Sequence, residues 1–141
     1  MDVIARWDDV VACARSSFDV VIEGEQWIGF LHREDEADAD PPKVKISMFT
    51  ALGQPYVAIT ADLFDAALLD PGVALQLNHA LPIAAIERED DRILLRATVP
   101  LVGLGVVYFR RIALHVARQA AHMRRARGRA GTAESSHIYT E

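Results

Sequence analysis

The segment ALQLNHALPIAAIEREDDRILLRATVPL, from Ala74 to Leu101, contains the local signals that decide the fold. A leucine-rich helical run leads to Asn78, which tolerates the left-handed conformation and is predicted to end the helix. Pro82 discourages any continuation of that helix. Two apolar, strand-like runs follow, Ile83 to Glu87 and Arg92 to Val99, and the acidic sequence REDD separates them. The segment therefore predicts a helix, a strand, a turn and a second strand.

The chain before this segment predicts a helix followed by two strands. Asp2 can cap a first amphipathic helix, which should end near Ser16. Phe18 to Ile22 and Gln26 to His32 are predicted strands, and the glycine between them can supply the positive φ of a tight hairpin. The acidic, proline-ended stretch from Arg33 to Pro42 has nothing to bury and is predicted to be a solvated loop.

Two more strands and a helix start are predicted before Ala74. Lys43 to Thr50 alternates between apolar and polar residues, as a half-buried strand should, and Tyr56 to Ala61 is a further strand. Asp62 to Leu69 is predicted to form a helical turn. Asp70 can then cap the next helix, with Pro71 at its first position.

The longest predicted helix closes the domain. It should run from Leu104 to Arg127, followed by a flexible tail at residues 128–141, so that residues 1–127 form one domain. The predicted fold class is α+β, an antiparallel sheet packed with helices in the order α-β-β-β-β-α-β-β-α. The buried stripe of the last helix is predicted to be Phe109, Ile112, Val116, Ala120 and Met123, with Arg110, Arg111, Arg118, Arg124 and Arg125 in water.

Several predicted strands are apolar on both faces, as where Trp27 alternates with Ile28. A sheet with one wet face should alternate cleanly, so the second face is expected to meet something other than water. A second copy of the chain or a bound polypeptide is the simplest cover, the alternatives being helices on both faces or a wrong assignment of the faces. The candidate residues of this dimer or client surface are Trp27, Phe30, Ile86, Leu94 and Arg96.

The charge of the chain is unevenly distributed. Residues 1–102 carry a net charge of −10, whereas residues 103–141 carry +5. This polarity can orient two subunits or hold the last helix on its own domain, and it argues against a general nucleic-acid binder. The alternative function is a regulatory domain that contacts nucleic acid through Arg124, Arg125, Arg127 and Arg129.

Residues that can carry chemistry are few and isolated. His79 has no Ser, Cys or carboxylate close in sequence to complete a nucleophilic set, and a structural role at a helix end is favoured. His115 and His122 lie about two helical turns apart, too far to bind one metal ion together. Cys13 has no partner and is predicted to be a packing residue. We therefore expect no enzyme, no metal and no cofactor.

The composition is that of one domain of 141 residues, of which 51% are hydrophobic. No apolar run approaches the ~20 residues that cross a bilayer, and the start MDVIARWDDVV lacks the features of a signal peptide. The single cysteine agrees with a reducing compartment. We expect a cytoplasmic protein with no membrane partner.

The order of elements, together with LQLNHALPIAAIEREDDRILLRATVPL, resembles the type III secretion chaperone-like superfamily, including its YbjN-type domains. QWIGF, which contains Trp27, and the strand GQPYVAI add to the likeness. The resemblance implies a small α+β homodimer that binds polypeptide clients and transforms no substrate. Type III secretion chaperones are usually acidic throughout, so the basic last helix favours the YbjN-type branch, whose label suggests regulation.

Overall fold

An antiparallel sheet with helices on one face makes up the fold. The computed structural model describes residues 2–34 and 40–132. The elements, in chain order, are β1 (Val3–Ile4), α1 (Trp7–Ser17), β2 (Val20–Glu23), β3 (Trp27–Leu31), β4 (Lys43–Ala51), β5 (Gln54–Asp65), α2 (Pro71–Ala80), β6 (Ala85–Glu89), β7 (Arg92–Pro100), β8 (Leu104–Gly105) and α3 (Val106–Thr132).

Six of these strands form the main sheet, in the spatial order β2-β3-β4-β5-β7-β6, and every neighbouring pair is antiparallel. The predicted α+β class and its antiparallel sheet are confirmed. The predicted order of elements also holds, with the addition of two short strands. These are β1 and β8, which pair with each other in a separate two-stranded sheet.

The core lies between the sheet and α3, which crosses β4, β5 and β7. We call the covered side of the sheet the inner face and the opposite side the outer face. The predicted apolar stripe of α3 is confirmed, since its five residues are all buried. One row of the inner face runs across five strands through the paired residues Phe30, Val44, Ala61, Leu95 and Ile86.

The two ends of the domain differ from the sequence prediction because β1 and β8 pair across about a hundred residues of chain. Val3 lies opposite Gly105 in this pair, so α1 begins at Trp7 and Asp2 does not cap it. Because Leu104 takes part in the same pairing, α3 begins at Val106 and not at Leu104 as predicted. The helix then continues to Thr132, past its predicted end, so residues 128–132 of the predicted tail are helical. The remaining tail residues lie outside the described part of the chain.

The middle of the chain also differs at one predicted turn. β5 has 12 residues and extends to Asp65, with a register shift between Asp62 and Phe64, and only Ala66–Leu68 forms a short 3-10 turn. The predicted cap of α2 is confirmed, because the Asp70 carboxylate accepts a hydrogen bond from the Val73 N–H at 3.2 Å. The helix passes through Asn78 and ends at Ala80.

The start of α1 is held by Asp9. The backbone N–H groups of Ala5 and Arg6 both donate to Asp9 Oδ2 at 3.0 Å. These two hydrogen bonds, that from Ala5 first, hold the pKa of the Asp9 carboxyl below its ordinary value. Likewise, the side chain of Arg15 donates to Glu23 and lowers the pKa of that carboxyl.

We expect these two carboxylates to make the fold sensitive to acid. A carboxyl whose pKa is lower in the folded state stabilises the fold above its unfolded pKa of about 4, and this contribution is lost as the pH falls through the folded value. The Tm of the wild type should therefore fall more steeply below about pH 4 than that of Asp9→Asn. Asp8→Asn is the control, because it removes the same charge from the same turn. If the Tm of Asp9→Asn fell with pH as steeply as the Tm of the wild type, this explanation would be contradicted.

A candidate protein-binding face of the sheet

The outer face of the sheet carries a shallow groove. Its volume is about 530 Å³, and within the described residues no helix contributes to its lining. Alternation along each strand places most of the polar side chains on this face and most of the aliphatic ones on the inner face. The lining residues are Trp27, Gly29, Lys43, Lys45, Ser47, Phe49, Ala58, Thr60, Asp62, Glu89, Asp90, Asp91, Arg92, Leu94 and Arg96.

Aromatic rings in the groove lie beside cations. Lys45 Nζ is 5.3 Å from the ring centroid of Trp27, and Arg96 Cζ is 5.3 Å from that of Phe49. Phe49 also stacks on Tyr56 of the adjacent strand, with the ring centroids 5.6 Å apart. Such cation–π contacts hold long basic side chains flat against the sheet while leaving their charge accessible. Aromatic and arginine side chains are the types that most often anchor protein interfaces.

Gly24 makes room for one of these rings. We predicted that this glycine supplies a positive φ to the β2–β3 turn, and that prediction is wrong, because the positive-φ glycines are Gly53 and Gly103. A Cβ atom at position 24 would lie 1.9 Å from Nε1 of Trp27. The glycine is required because the indole of Trp27 lies across the turn.

One end of the groove is closed by ion pairs. Arg92 makes a bidentate contact with Asp62, in which Nε donates to Oδ1 at 2.9 Å. Arg124 of α3 donates to the backbone oxygen of Asp62 at 3.0 Å. Beside them, Arg96 Nη1 lies 3.4 Å from Glu87 Oε1. Bidentate arginine contacts fix geometry as well as charge, so this end of the groove has a defined shape.

The structure divides the five predicted binding residues between the two faces of the sheet. Trp27, Leu94 and Arg96 line the outer groove. Phe30 is only 1% exposed, and its ring stacks on Phe18 on the inner face with centroids 4.2 Å apart. Ile86 pairs with Leu95 and is also buried on the inner face. The expectation that all five residues lie on one surface is therefore wrong, and the second face is mostly polar where we expected it to be apolar.

Ile86 lies instead at the floor of a small apolar cleft beside α2. This α2 cleft has a volume of about 280 Å³ and is bounded by Ala66, Leu69, Pro71, Ala74, Leu75, Asn78, Ile86, Arg88 and Ile93. Leu75 stands at its rim with 73% of its surface exposed. The cleft exists because α2 contacts the sheet mainly through the edge strand β6.

Sequence reasoning missed Asn78 and Phe49. The Asn78 side chain does not end α2. Its Nδ2 donates to the backbone oxygen of Ile86 at 3.1 Å, and its Oδ1 accepts from the Ile86 N–H. The signal for Phe49 was available, because the turn at Leu52 and Gly53 fixes the β4–β5 register and thus places Phe49 opposite Tyr56.

The basic end of α3 contacts the acidic loop of its own chain. Arg124 pairs with Asp40, and Arg125 Nη1 lies 3.1 Å from Glu34 Oε2. Arg124 is therefore not the solvated side chain that we predicted, since only 19% of it is exposed. The charge asymmetry of the chain thus holds α3 on its own domain, one of the two roles predicted for it. Residues 35–39 of the loop lie outside the described part of the chain.

The isolated reactive residues lie on different helices. Cys13 is buried in α1, whereas His79 is exposed in the last turn of α2. Among the described residues, no three His, Cys, Asp or Glu side chains gather as metal ligands. None of the helices in residues 2–34 and 40–132 has the length and apolar character needed to cross a membrane.

Comparisons with protein-family models and with curated protein sequences find no match for this chain.

Proposed function

We propose that the chain is a non-enzymatic protein-binding module of the type III secretion chaperone-like, YbjN-type kind, which acts as a homodimer on a polypeptide client. The observation that carries this proposal is the open outer face, where aromatic and basic side chains line a groove that no described element covers. A sheet covered on one side only, with partly exposed aromatic side chains on the other, is suited to binding protein.

A client segment would bind in the α2 cleft. The cleft is lined mainly by aliphatic side chains, and Leu75 extends its apolar surface outward. Its volume accommodates one or two apolar side chains of an unfolded segment. The Arg88 side chain at the rim can pair with an acidic residue of that segment.

Binding of a permanently unfolded polypeptide tests this proposal. The probe is a reduced and carboxymethylated protein, with its native form as the negative control, and binding is followed by fluorescence anisotropy. Leu75→Glu is expected to weaken binding about tenfold or more, because burial of one leucine contributes about 1.5–3 kcal/mol. Leu52→Glu makes the same change at a leucine that is 94% exposed on the β4–β5 turn, and should have no effect. The absence of binding, or equal binding by Leu75→Glu, would refute the client site.

The alternative function, nucleic-acid binding through α3, is not favoured by the described contacts. Arg124 and Arg125, two of its four candidate residues, are already paired with carboxylates. The side chains of Arg127 and Arg129 lie outside the described part of the chain. Phosphate binding would have to displace the acidic loop, which weakens it.

A further inference from the structure

The outer face of the sheet has a self-complementary pattern about its midline, which lies between β4 and β5. One row across the face reads Leu31, Lys43, Asp62 and Leu94. Leu31 pairs with Lys43, and Asp62 pairs with Leu94. Lys43 and Asp62 follow directly on the Val44–Ala61 pair, which ends the β4–β5 ladder. The row is therefore apolar, basic, acidic and apolar, and its charges are reversed on the two sides of the midline.

We propose that a second copy of this chain packs face to face on the outer face, related to the first by a two-fold axis that runs along the midline. The proposal rests on the homodimer of the proposed function and names its interface. Under this symmetry, a β4 residue of one copy faces a β5 residue of the other copy. The facing β5 residue is the one that lies beside that β4 residue within a single chain. Lys43 then faces Asp62 of the second copy, and Leu31 faces Leu94, each contact occurring twice.

The other rows of the face agree with this symmetry. At one end, Phe49 and Tyr56 form a ladder pair, so the two copies would bring four aromatic rings together. The next row contains Trp27, Ser47, Ala58 and Thr98 in spatial order, so the large indole and the small Thr98 are at its two ends. The axis places each indole over the small Thr98 of the second copy.

The third row also avoids a clash of like charges. It contains Gly29, Lys45, Thr60 and Arg96 in spatial order. The axis sets Lys45 over Thr60 and Arg96 over Gly29, so that neither cation of this row faces another cation. No two like charges of β3, β4, β5 and β7 face each other in any of the rows.

The size of the face is adequate for a stable dimer. The six strands have 4, 5, 9, 12, 5 and 9 residues in chain order, which is 44 in all. At about 4.8 Å by 3.4 Å for each residue, the face has an area of about 700 Å². A standard specific interface buries about 800 Å² on each partner. Two sheets packed in this way at a separation of about 10 Å form a sandwich with both outer faces covered.

A charge-swap experiment on the full chain tests the interface. Sedimentation equilibrium of the wild type is expected to show a dimer at micromolar concentration. Lys43→Glu places a carboxylate against Asp62 twice in each dimer, and Asp62→Lys places two ammonium groups together. Each variant alone should weaken dimerisation about tenfold or more. An equimolar mixture of the two should recover the dimer, because both facing pairs are then opposite in charge.

Control variants separate the interface from general charge effects and from misfolding. Arg118→Glu makes the same change in charge at an exposed position of α3 and should leave the dimer intact. Since Asp62 also pairs with Arg92 and Arg124, a second pair of variants avoids these contacts: Leu31→Lys and Leu94→Glu should each weaken the dimer and restore it when mixed.

The outcomes distinguish this interface from the proposed function. A wild-type dimer that Lys43→Glu and Leu94→Glu leave unchanged overturns the face-to-face arrangement, while a homodimer with another interface stands. A wild-type monomer at about 100 µM that still binds the unfolded probe overturns the dimer but not the client site. A chain that neither dimerises nor binds the probe overturns both.

Discussion

Replacing Phe30 by alanine is expected to lower the free energy of unfolding by about 3–5 kcal/mol, the usual cost of truncating a buried phenylalanine. The side chain is 1% exposed and stacks on Phe18 with the ring planes 7° apart. Truncation leaves a cavity in the row that continues through Val44, where the surrounding strands cannot collapse. Urea unfolding with an unchanged m value would measure the loss.

Trp27→Ala is the matched control for Phe30→Ala. Both positions are aromatic residues of β3, but Trp27 lies on the outer face and is only partly buried. The loss for Trp27→Ala is expected to be about 1 kcal/mol or less when measured on the monomer at low protein concentration. A larger loss for Trp27 than for Phe30 would show that the two faces of the sheet had been assigned in reverse.

Local signals predicted most of the elements correctly. The start of α2 follows from Asp70 and Pro71, which act within one helical turn. The β6–β7 hairpin follows from an acidic turn between apolar runs, and Asp90 at that turn has a φ of 53°. The buried stripe of α3 follows from its helical period. Each of these signals is contained in a few neighbouring residues.

The sequence did not predict which strands that are far apart in the chain pair with each other. Val3 pairs with Gly105, and no local pattern at either residue indicates the other. The placement of Phe30 and Ile86 on the same surface as Trp27 failed for a related reason. Several strands have apolar residues at consecutive positions, which point to opposite faces of the sheet. Which of the two faces α3 covers then depends on the register of the whole sheet.

Among the candidate binding residues, Trp27, Leu94 and Arg96 line the same groove, but the sequence did not show the pattern that relates them. The self-complementary row exists only after β3, β4, β5 and β7 have been aligned by their hydrogen bonds. The α2 cleft was likewise hidden, because it depends on how α2 lies beside β6. Surfaces of this kind are made by tertiary structure, whereas capping and turns are made by neighbouring residues.

Asn78→Ala is expected to lower the free energy of unfolding by about 2 kcal/mol. The Asn78 amide acts as a substitute for a neighbouring strand. It pairs with both the N–H and the C=O of Ile86, on the side of β6 that faces away from β7. Truncation leaves two partly buried backbone groups unpaired, at about 1–3 kcal/mol each, partly relieved by water. Alanine is the better helix former by about 0.5 kcal/mol, which reduces the net loss. Chemical unfolding monitored by circular dichroism would measure it.

The same substitution should also make the chain more prone to associate through β6. An edge strand with free N–H and C=O groups can pair with another chain, and Asn78 occupies this edge at Ile86. Light scattering should therefore show slow, concentration-dependent association of Asn78→Ala. The neighbouring exposed residue provides the control, since His79→Ala should change stability by less than about 0.5 kcal/mol and leave association unchanged. Equal behaviour of the two variants would mean that the amide of Asn78 does not protect the edge of the sheet.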